Sequence, residues 1–303
     1  MPEKIYSDFK LMNEIPKISF FKSQNKEIGF EILTLKSLFS RQGTFPHPLD
    51  KPQRVDFYHI LFITKGDGRH YIDFREYEYT KGSILFISTG QVHAFEFSPG
   101  VEGFLLLFTD AFLSKNIIHS DLLSFSRLYN YHLHLPVIQP EESSENFNNI
   151  FNDIYDEYIS SDAFAKEEML RLLLKLLLLK AERIKRTLMP NEKNSEWFIK
   201  FGKFKNLVEK YFSETRNAKD YAGMMDISYN HLNKITKSIT GNTAKVFIDH
   251  FLILEIKRQL AVSDISIKEL TYELGFDEPT NFVKYFKKRT HLSPSQFKKY
   301  LKK

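Results

Sequence analysis

The first third of the chain shows hydrophobic and polar positions in the pattern of short β-strands. Residues 54–66, RVDFYHILFITKG, are rich in β-branched and aromatic side chains, and KGDG at 65–68 is typical of a tight turn. In residues 69–80, RHYIDFREYEYT, side chains alternate between two faces as they do along a single strand. Segments 81–97 and 101–109 add further strands separated by turns. This series predicts a small antiparallel barrel or sandwich.

After residue 144 the hydrophobic period changes to that of amphipathic helices. The first helix carries one apolar stripe, which comprises Phe147, Ile150, Phe151, Ile154, Tyr155 and Tyr158. A second helix is predicted at 162–188 and is apolar on nearly all sides. Its apolar face includes Met169, Leu172, Leu173, Leu176, Leu177 and Leu179. One face is expected to pack on the barrel and another against a second copy of the chain; a purely internal core helix is the alternative.

A polar segment with one proline, MPNEKNSE at 189–196, predicts a linker between two domains. We therefore place the domains at 1–190 and 191–303. The first would hold the barrel at about 17–110 and its following helices at about 144–188. The second is helical throughout, and its breaks predict helices at about 196–213, 218–225, 229–239, 243–262, 266–274, 279–289 and 294–302.

Composition narrows the classes of protein to which the chain can belong. Hydrophobic residues make up 42% of the chain, and cysteine is absent, which excludes a disulfide framework and thiolate chemistry. The N-terminal sequence MPEKIYSDFK lacks the apolar core of a signal peptide. The most apolar run, 170–180, is interrupted by Arg171 and Lys175 and is shorter than the roughly 20 residues of a membrane span. We expect a cytoplasmic protein with no membrane partner.

Charge is distributed unevenly between the two predicted domains. Residues 1–190 hold 22 Lys and Arg against 25 Asp and Glu, a balance of −3, whereas residues 191–303 hold 21 against 13, a balance of +8. Such concentrated basic charge favours a polyanion partner for the second domain, nucleic acid first. A basic face that contacts only solvent is the alternative.

Two helix–turn–helix units are predicted in the basic domain. The first is AKDYAGMMDISYNHLNKITKSITG at 218–241, and the second is SIKELTYELGFDEPTNFVKYFKKRTH at 266–291. Each has a short helix, a tight turn and a second helix with a polar start, and in such units the second helix enters the major groove of DNA. Ser266 with Glu269 predicts a capping box in the second unit. Two helical hairpins with solvated lysines are the alternative.

The residues expected to contact DNA lie on the outer sides of the second helices, because Asn and Lys side chains contact bases or phosphates. In the first unit Leu232 and Ile235 face inward, and in the second Phe282 and Phe286 do so. The outward candidates of the first unit are Asn230, His231, Asn233, Lys234 and Lys237. Those of the second are Pro279, Thr280, Asn281, Lys284, Lys287 and Lys288.

Residues 267–300, IKELTYELGFDEPTNFVKYFKKRTHLSPSQFKKY, resemble the signature of the AraC/XylS family of bacterial transcription regulators. The shared pattern is I-x-E-L-x-x-x-x-G-F, then F-x-x-x-F-K-K and T-x-x-x-P-x-x-[YF]. The chain departs from the family at Thr236, where Phe is usual, at His291, where Gly is common, and at Met224-Met225, which replaces an Ala-rich stretch. The first unit therefore matches less tightly.

The family resemblance covers about residues 197–303 and implies a domain that binds double-stranded promoter DNA, with RNA polymerase as a further partner. It also implies that the two recognition helices enter successive major grooves. The linking helix, predicted at 243–262, is roughly 30 Å long at about 1.5 Å per residue, and one turn of B-DNA is about 34 Å. The helix length therefore permits that arrangement.

The segment KGSILFISTGQVHAF at 81–95 resembles the second cupin motif, through Gly82, Gly90 and His93, with Ser88 in place of proline. The upstream histidines His47, His59 and His70 do not form the first cupin motif, so we expect neither a metal nor a cofactor. Many regulators of the family have a cupin-like domain that binds a small effector or only forms dimers. The candidates for lining an effector site are Arg54, Tyr58, Arg69, Tyr71 and His93; surface strand positions are the alternative for each.

These features predict an α+β fold of two domains: an N-terminal antiparallel β cupin-like barrel with following helices, then an all-α domain with two helix–turn–helix motifs. The leading hypothesis is a sequence-specific transcription regulator, an activator that a small molecule controls and that forms a homodimer through helix 162–188. A constitutive dimeric DNA binder is the first alternative. A metal-dependent cupin enzyme with a helical appendage is the second, and the incomplete first motif argues against it; we expect no catalytic residue.

Overall fold

A computed structural model describes most of the chain, which divides into two compact units, Pro16–Pro190 and a second unit formed mainly by the residues after 190. The described residues are 15–20, 28–41, 47–96, 98, 100–114, 128–129, 135–142, 146–187, 195–262 and 265–301. Among the helices in these ranges, none combines the length and the hydrophobicity that a membrane span requires.

The N-terminal unit is built on two facing five-stranded sheets, so the predicted β domain is confirmed as a barrel-like sandwich. Its strands are β1 (Lys17–Ile18), β2 (Phe30–Thr34), β3 (Gln53–Val55), β4 (Tyr58–Lys65), β5 (Gly68–Ile72), β6 (Arg75–Tyr79), β7 (Ile84–Ile87), β8 (Val92–Phe95), β9 (Glu102–Phe108) and β10 (Val137–Ile138). The strand orders are β1-β3-β8-β5-β6 and β10-β7-β4-β9-β2. Strand pairs are antiparallel except β1 with β3, which are parallel.

The alternating segment 69–80 is two strands rather than one. Asp73 and Phe74 have φ angles of 48° and 67°, and they form a two-residue turn between β5 and β6. The carboxylate of Asp73 accepts hydrogen bonds from the Gln91 side chain at 2.7 Å and from the Val92 backbone at 3.1 Å, which hold the turn against β8. The single-strand interpretation was wrong because the turn residues Asp73 and Phe74 include no glycine, which usually marks a two-residue turn in a sequence.

The helices of this unit cover the outer face of the second sheet, except the first, which packs among the side chains between the two sheets. They are α1 (Leu35–Ser40), α2 (Asp110–Ser114), α3 (Asn148–Ile159) and α4 (Lys166–Thr187), with a 3₁₀ turn at Pro140–Glu142. Along β4, Ile60 and Phe62 face α3 and α4, whereas Leu61 and Ile63 face the other sheet. The rings of Phe62 and Phe151 stack at 4.6 Å between centroids, which joins α3 to the sheet.

Helix α4 differs from the prediction in its start and in its buried face. It begins at Lys166 rather than Asp162, because Asp162 accepts a hydrogen bond from the Phe164 backbone and Ala165 takes a φ of 52°. The side chains that pack inward are mainly Leu170, Leu174, Leu177, Leu178, Ala181 and Ile184. Four residues of the predicted apolar face are instead exposed, namely Met169, Leu172, Leu176 and Leu179. A helix that is apolar all round does not show in its sequence which side faces the core.

The C-terminal unit is all helical, which confirms the predicted architecture. Its helices are α5 (Ser195–Tyr211), α6 (Ala218–Met224), α7 (Tyr229–Thr240), α8 (Ala244–Val262), α9 (Ile267–Glu273), α10 (Pro279–Thr290) and α11 (Pro294–Leu301). The capping box of Ser266 and Glu269 is confirmed at the start of α9. Ile15, which the sequence placed in the first domain, groups with this unit because its N–H donates to the Ala261 carbonyl at 3.2 Å.

Candidate DNA-binding surface and effector cavity

The turn of the second helix–turn–helix unit depends on Gly275. Its φ is 69°, and a Cβ at this position would lie 1.7 Å from the carbonyl oxygen of Ser213, so only glycine fits. The guanidinium of Arg216 lies 3.8 Å from the centroid of the Phe276 ring and donates a hydrogen bond to the Gly275 carbonyl at 2.6 Å. The turn of the second unit is thereby fixed against the segment between α5 and α6.

Helix α10 separates an aromatic inner side from a basic outer side. Phe282 and Phe286 are fully buried; the Phe276 and Phe282 ring centroids are 5.2 Å apart, and those of Phe286 and Phe297 are 5.7 Å apart. The side chains predicted to face outward are exposed, namely Thr280, Asn281, Lys284, Lys287 and Lys288, and Pro279 is half-buried at the first helical position. Contact between these residues and DNA stays a prediction.

A buried carboxylate holds α10 to the linking helix α8. Asp249 accepts hydrogen bonds from Lys245 Nζ at 2.6 Å, from the Tyr285 hydroxyl at 2.7 Å and from Arg289 Nη2 at 2.6 Å. Burial alone would raise the pKa of Asp249, but these three donors together hold it below its usual value. We call these four residues the Asp249 cluster. Sequence reasoning missed it, because the only local sign is the i, i+4 spacing of Lys245 and Asp249.

Helix α7 of the first unit is also exposed on its outer side, but it carries less charge. Asn230, Lys234 and Lys237 are exposed, whereas the half-buried His231 ring lies edge-on to Trp197 at 5.9 Å. Asn233 is half-buried, and its Oδ1 accepts a hydrogen bond from the Ala244 backbone at 3.0 Å, so it caps the start of α8. The structure therefore places Asn233 in a structural role, and its predicted contact with DNA stays untested.

A cavity of about 500 Å³ lies in the N-terminal unit. Both sheets contribute to its lining, and its size falls within the range of small-molecule sites. Its apolar walls include Leu33, Val55, Phe57, Phe95, Leu105 and Leu107. Three largely buried polar side chains, Glu31, Gln53 and His59, also line it. Sequence reasoning did not select these three, because the inward face of each strand depends on how the sheets pair.

Three buried histidines lie together at the cavity: His59 lines it, and His70 and His93 lie behind its wall. His70 Nε2 and His93 Nδ1 are 3.1 Å apart, and the rings of His59 and His93 meet edge-on at 4.6 Å. Burial lowers the pKa of His93 to about 3, and burial with the neighbouring rings holds the pKa of His59 well below its usual value. All three are therefore neutral imidazoles at neutral pH. Within the described ranges, no group of three or more His, Cys, Asp or Glu residues is arranged to hold a metal ion.

The five residues predicted to line an effector site do not meet at the cavity. His93 is fully buried behind it, and the Tyr58 hydroxyl donates to Asp110 at 3.0 Å. Arg69 is exposed and pairs with carboxylates of neighbouring strands, while Arg54 and Tyr71 are half-buried. Among the described residues, none of the five belongs to the cavity lining.

Comparison with known proteins identifies both units. Residues 43–173 match the family model of an AraC-like ligand binding domain, and residues 221–300 match that of a helix-turn-helix domain. The HTH-type transcriptional activator RhaS of Escherichia coli O1:K1 is 21% identical over 295 residues, which cover 93% of this chain and 96% of the relative. The corresponding protein of Escherichia coli O6:H1 is 22% identical over the same length.

Crystal structures with a similar course of the chain come from other bacteria. ToxT from Vibrio cholerae is 14% identical, covers 90% of this chain and 98% of its own, and has a TM-score of 0.44. ToxT with a bound unsaturated fatty acid is 18% identical, with 81% and 87% covered and a TM-score of 0.42. The C-terminal domain of the response regulator yesN from Fusobacterium nucleatum is 20% identical, with 31% and 93% covered and a TM-score of 0.30.

Proposed function

The chain belongs to the AraC family of transcription regulators, and we propose that it binds promoter DNA in the cytoplasm under the control of a small effector. The observation that carries this proposal is the pair of helix–turn–helix units with exposed polar and basic outer sides. Helix α10 holds three Lys and one Arg and no acidic residue, and α7 holds two Lys and no acidic residue. Such helices can contact phosphates and base edges in the major groove.

The linking helix α8 supports binding of both units to one face of DNA. It has 19 residues, which corresponds to about 28 Å at 1.5 Å per residue. One helical turn of B-DNA is about 34 Å, so the two recognition helices can occupy consecutive major grooves.

The test is footprinting of the purified full chain on the genomic DNA of its source. We expect a limited set of sites, each with two protected segments about 10 base pairs apart, which is one helical turn. Uniform protection of all DNA, or no protection, would contradict the proposed function.

The cavity in the N-terminal unit favours an effector-controlled protein over a constitutive DNA binder. A site of about 500 Å³ with buried polar side chains is suited to a small molecule. The domain it occupies matches a model of ligand binding domains.

A second copy of the chain is the proposed partner of the exposed face of α4. Met169, Leu172, Leu176 and Leu179 are between 43% and 55% exposed, and they follow one another at intervals of 3, 4 and 3 residues. This is the heptad spacing of helices that pair along an apolar seam. We expect Leu172→Lys with Leu176→Lys to convert a dimer to a monomer in sedimentation equilibrium. Ser161→Lys, an exposed change outside the seam, should leave the dimer intact.

RNA polymerase is the proposed further partner on promoter DNA. The two relatives named above are described as transcriptional activators, and the predicted role of this chain is the same. In transcription with purified RNA polymerase on a footprinted promoter, we expect more transcript when the protein is added. A reduced yield would instead indicate a repressor.

A further inference from the structure

The cavity of the N-terminal unit brings together polar groups from both sheets. On one sheet, His59 and Glu31 each pair in register with Leu107, so they lie on either side of it at about 10 Å across the strands. On the other sheet, Gln53 pairs with His93, one of the buried histidines. Gln53, His59 and Glu31 are each at least nine-tenths buried and line the same space.

Two of these polar side chains make no hydrogen bond within the part of the chain that the structure describes. Gln53 is 7% exposed, and its side chain makes no hydrogen bond among the described residues. His59 is 3% exposed, and neither of its ring nitrogens makes a hydrogen bond there either. A buried polar group without a partner is costly, and native structures satisfy nearly all such groups with protein, water or ligand. An amide and a neutral imidazole are therefore available to a ligand.

The electrostatics of the cavity favour an uncharged ligand. The lowered pKa of His59 keeps its ring neutral. Burial raises the pKa of the Tyr158 hydroxyl most, Glu31 raises it further and Arg41 lowers it, so the opposite charges of Glu31 and Arg41, which both line the cavity, lie close to the same group. Lys17 also lines the cavity but is exposed to water.

The walls limit how polar the ligand can be. Phe57 and Phe95 supply aromatic surface, and Leu33, Leu105 and Leu107 supply aliphatic surface. A free sugar presents a hydroxyl on nearly every carbon, and this lining offers too few partners for so many groups. A flat apolar body with one or two hydroxyl groups matches both the walls and the two unpaired groups.

We propose that the cavity binds an uncharged hydroxylated aromatic molecule, whose hydroxyl groups hydrogen-bond Gln53 and His59. The His70–His93 pair acts as a positioning pair, because the His93 ring packs edge-on against His59 and restricts its orientation. This inference rests on the proposed function, since it names the chemical class of the effector.

Calorimetric titration of the full chain with four probes tests the proposal. The probes are 2,7-dihydroxynaphthalene, 2-naphthol, 2-naphthoate and D-glucose. We expect 2,7-dihydroxynaphthalene to bind most tightly and 2-naphthol next, because one hydrogen bond is worth about a tenfold change in Kd. Tighter binding of 2-naphthoate or D-glucose, or binding of no probe, would overturn the proposal.

Variants of Gln53 and His59, with one matched control, test whether these two side chains bind the ligand. Gln53→Leu and His59→Leu should each weaken the binding of 2,7-dihydroxynaphthalene about tenfold. The control is Ser19→Ala, since Ser19 lines the cavity but its hydroxyl already donates to Asp56 at 2.7 Å, and its Kd should not change. An unchanged Kd in both Leu variants would overturn the assignment of the two residues.

The melting temperature and the DNA footprint of the proteins are measured together with their ligand binding. Replacing an unpaired buried polar group by Leu should leave the melting temperature equal or higher, so a loss of affinity in Gln53→Leu is not a loss of fold. If the probes fail while footprinting still shows specific sites, only the ligand class is wrong. If the diol binds as expected but no specific DNA site exists, the proposed function is wrong instead.

Discussion

The two helix–turn–helix units share one order of elements but are stabilised by different means. Thr236 of the first recognition helix occupies the place that Phe286 has in the second, 50 residues later. Phe286 is fully buried against Phe297, whereas Thr236 is fully buried with its hydroxyl donating to the Leu232 carbonyl at 2.8 Å. The second unit therefore has the larger aromatic core of its own.

The first unit obtains its aromatic packing from the preceding helix α5. Phe204 of α5 lies 5.8 Å from the Tyr221 ring of α6, and Trp197 packs on His231 of α7. The second unit is joined to the linking helix by the charged Asp249 cluster. A repeated motif can therefore keep its backbone fold when a neighbouring helix supplies the aromatic packing that its own sequence lacks.

The largest effect is expected from truncating the aromatic core of the second unit. Phe286→Ala should lower the free energy of unfolding by about 4 kcal/mol, through lost burial and the cavity left behind. Unfolding of the C-terminal unit can be followed by fluorescence of Trp197, the single tryptophan of the chain. Thr236→Val is the matched change in the first unit and should alter stability by less than about 1.5 kcal/mol. Equal losses in both would contradict the proposed difference.

The second largest effect on stability is expected at the turns of the two helix–turn–helix units. Gly275→Ala adds a Cβ against the Ser213 carbonyl at a positive φ and should cost about 3 kcal/mol in the same unfolding measurement. The first unit has Asp226 in the corresponding left-handed conformation, with a φ of 54°. Asp226→Gly should therefore be neutral or stabilising by up to about 1 kcal/mol. A tolerated Gly275→Ala would show that the second turn can move away from Ser213.

A smaller loss of stability is expected when the link between α8 and α10 is removed. Asp249→Asn leaves Arg289 without its ionic partner and should cost about 2 kcal/mol. The control Asn233→Ala removes the cap of α8 and should cost about 1 kcal/mol. Because the folded pKa of Asp249 is lowered, its stabilisation is fully present above pH of about 4 and is lost as the pH falls through that pKa. Asp249→Asn should remove this pH dependence; an unchanged acid profile would speak against the cluster.

The remaining effects concern DNA affinity and not the stability of the fold. Lys284→Ala in the second unit and Lys234→Ala in the first are equivalent substitutions at exposed positions. If Lys284 contacts a phosphate, its loss should weaken binding to all sequences and reduce the salt slope by about one. If it contacts a base, we expect a cost of about 1–3 kcal/mol at that base position only. Unchanged binding of the Lys284→Ala protein to specific and nonspecific DNA would exclude it from the interface.

The helical unit was predictable in detail, and the sheet unit was predictable in type only. Caps such as Ser266 with Glu269, the turn at Gly275 and the proline at 294 act within a few residues, so helix bounds follow from local sequence. The hairpin at Asp73 and Phe74 was missed because this turn contains no glycine, the usual sequence sign of a two-residue turn. Which apolar side of α4 faces the core could not be read from the sequence, because the hydrophobicity of the helix is nearly uniform.

The sequence by itself determined the order and type of most elements, the basic character of the second domain and most of the outward positions of the two recognition helices. Each of these depends on periodicity, capping or charge, which are local properties of the chain. Only the tertiary structure brought Gln53 and His59 into one cavity and Asp249 to Tyr285 and Arg289. These contacts join residues distant in the chain, and their geometry depends on strand register and helix packing.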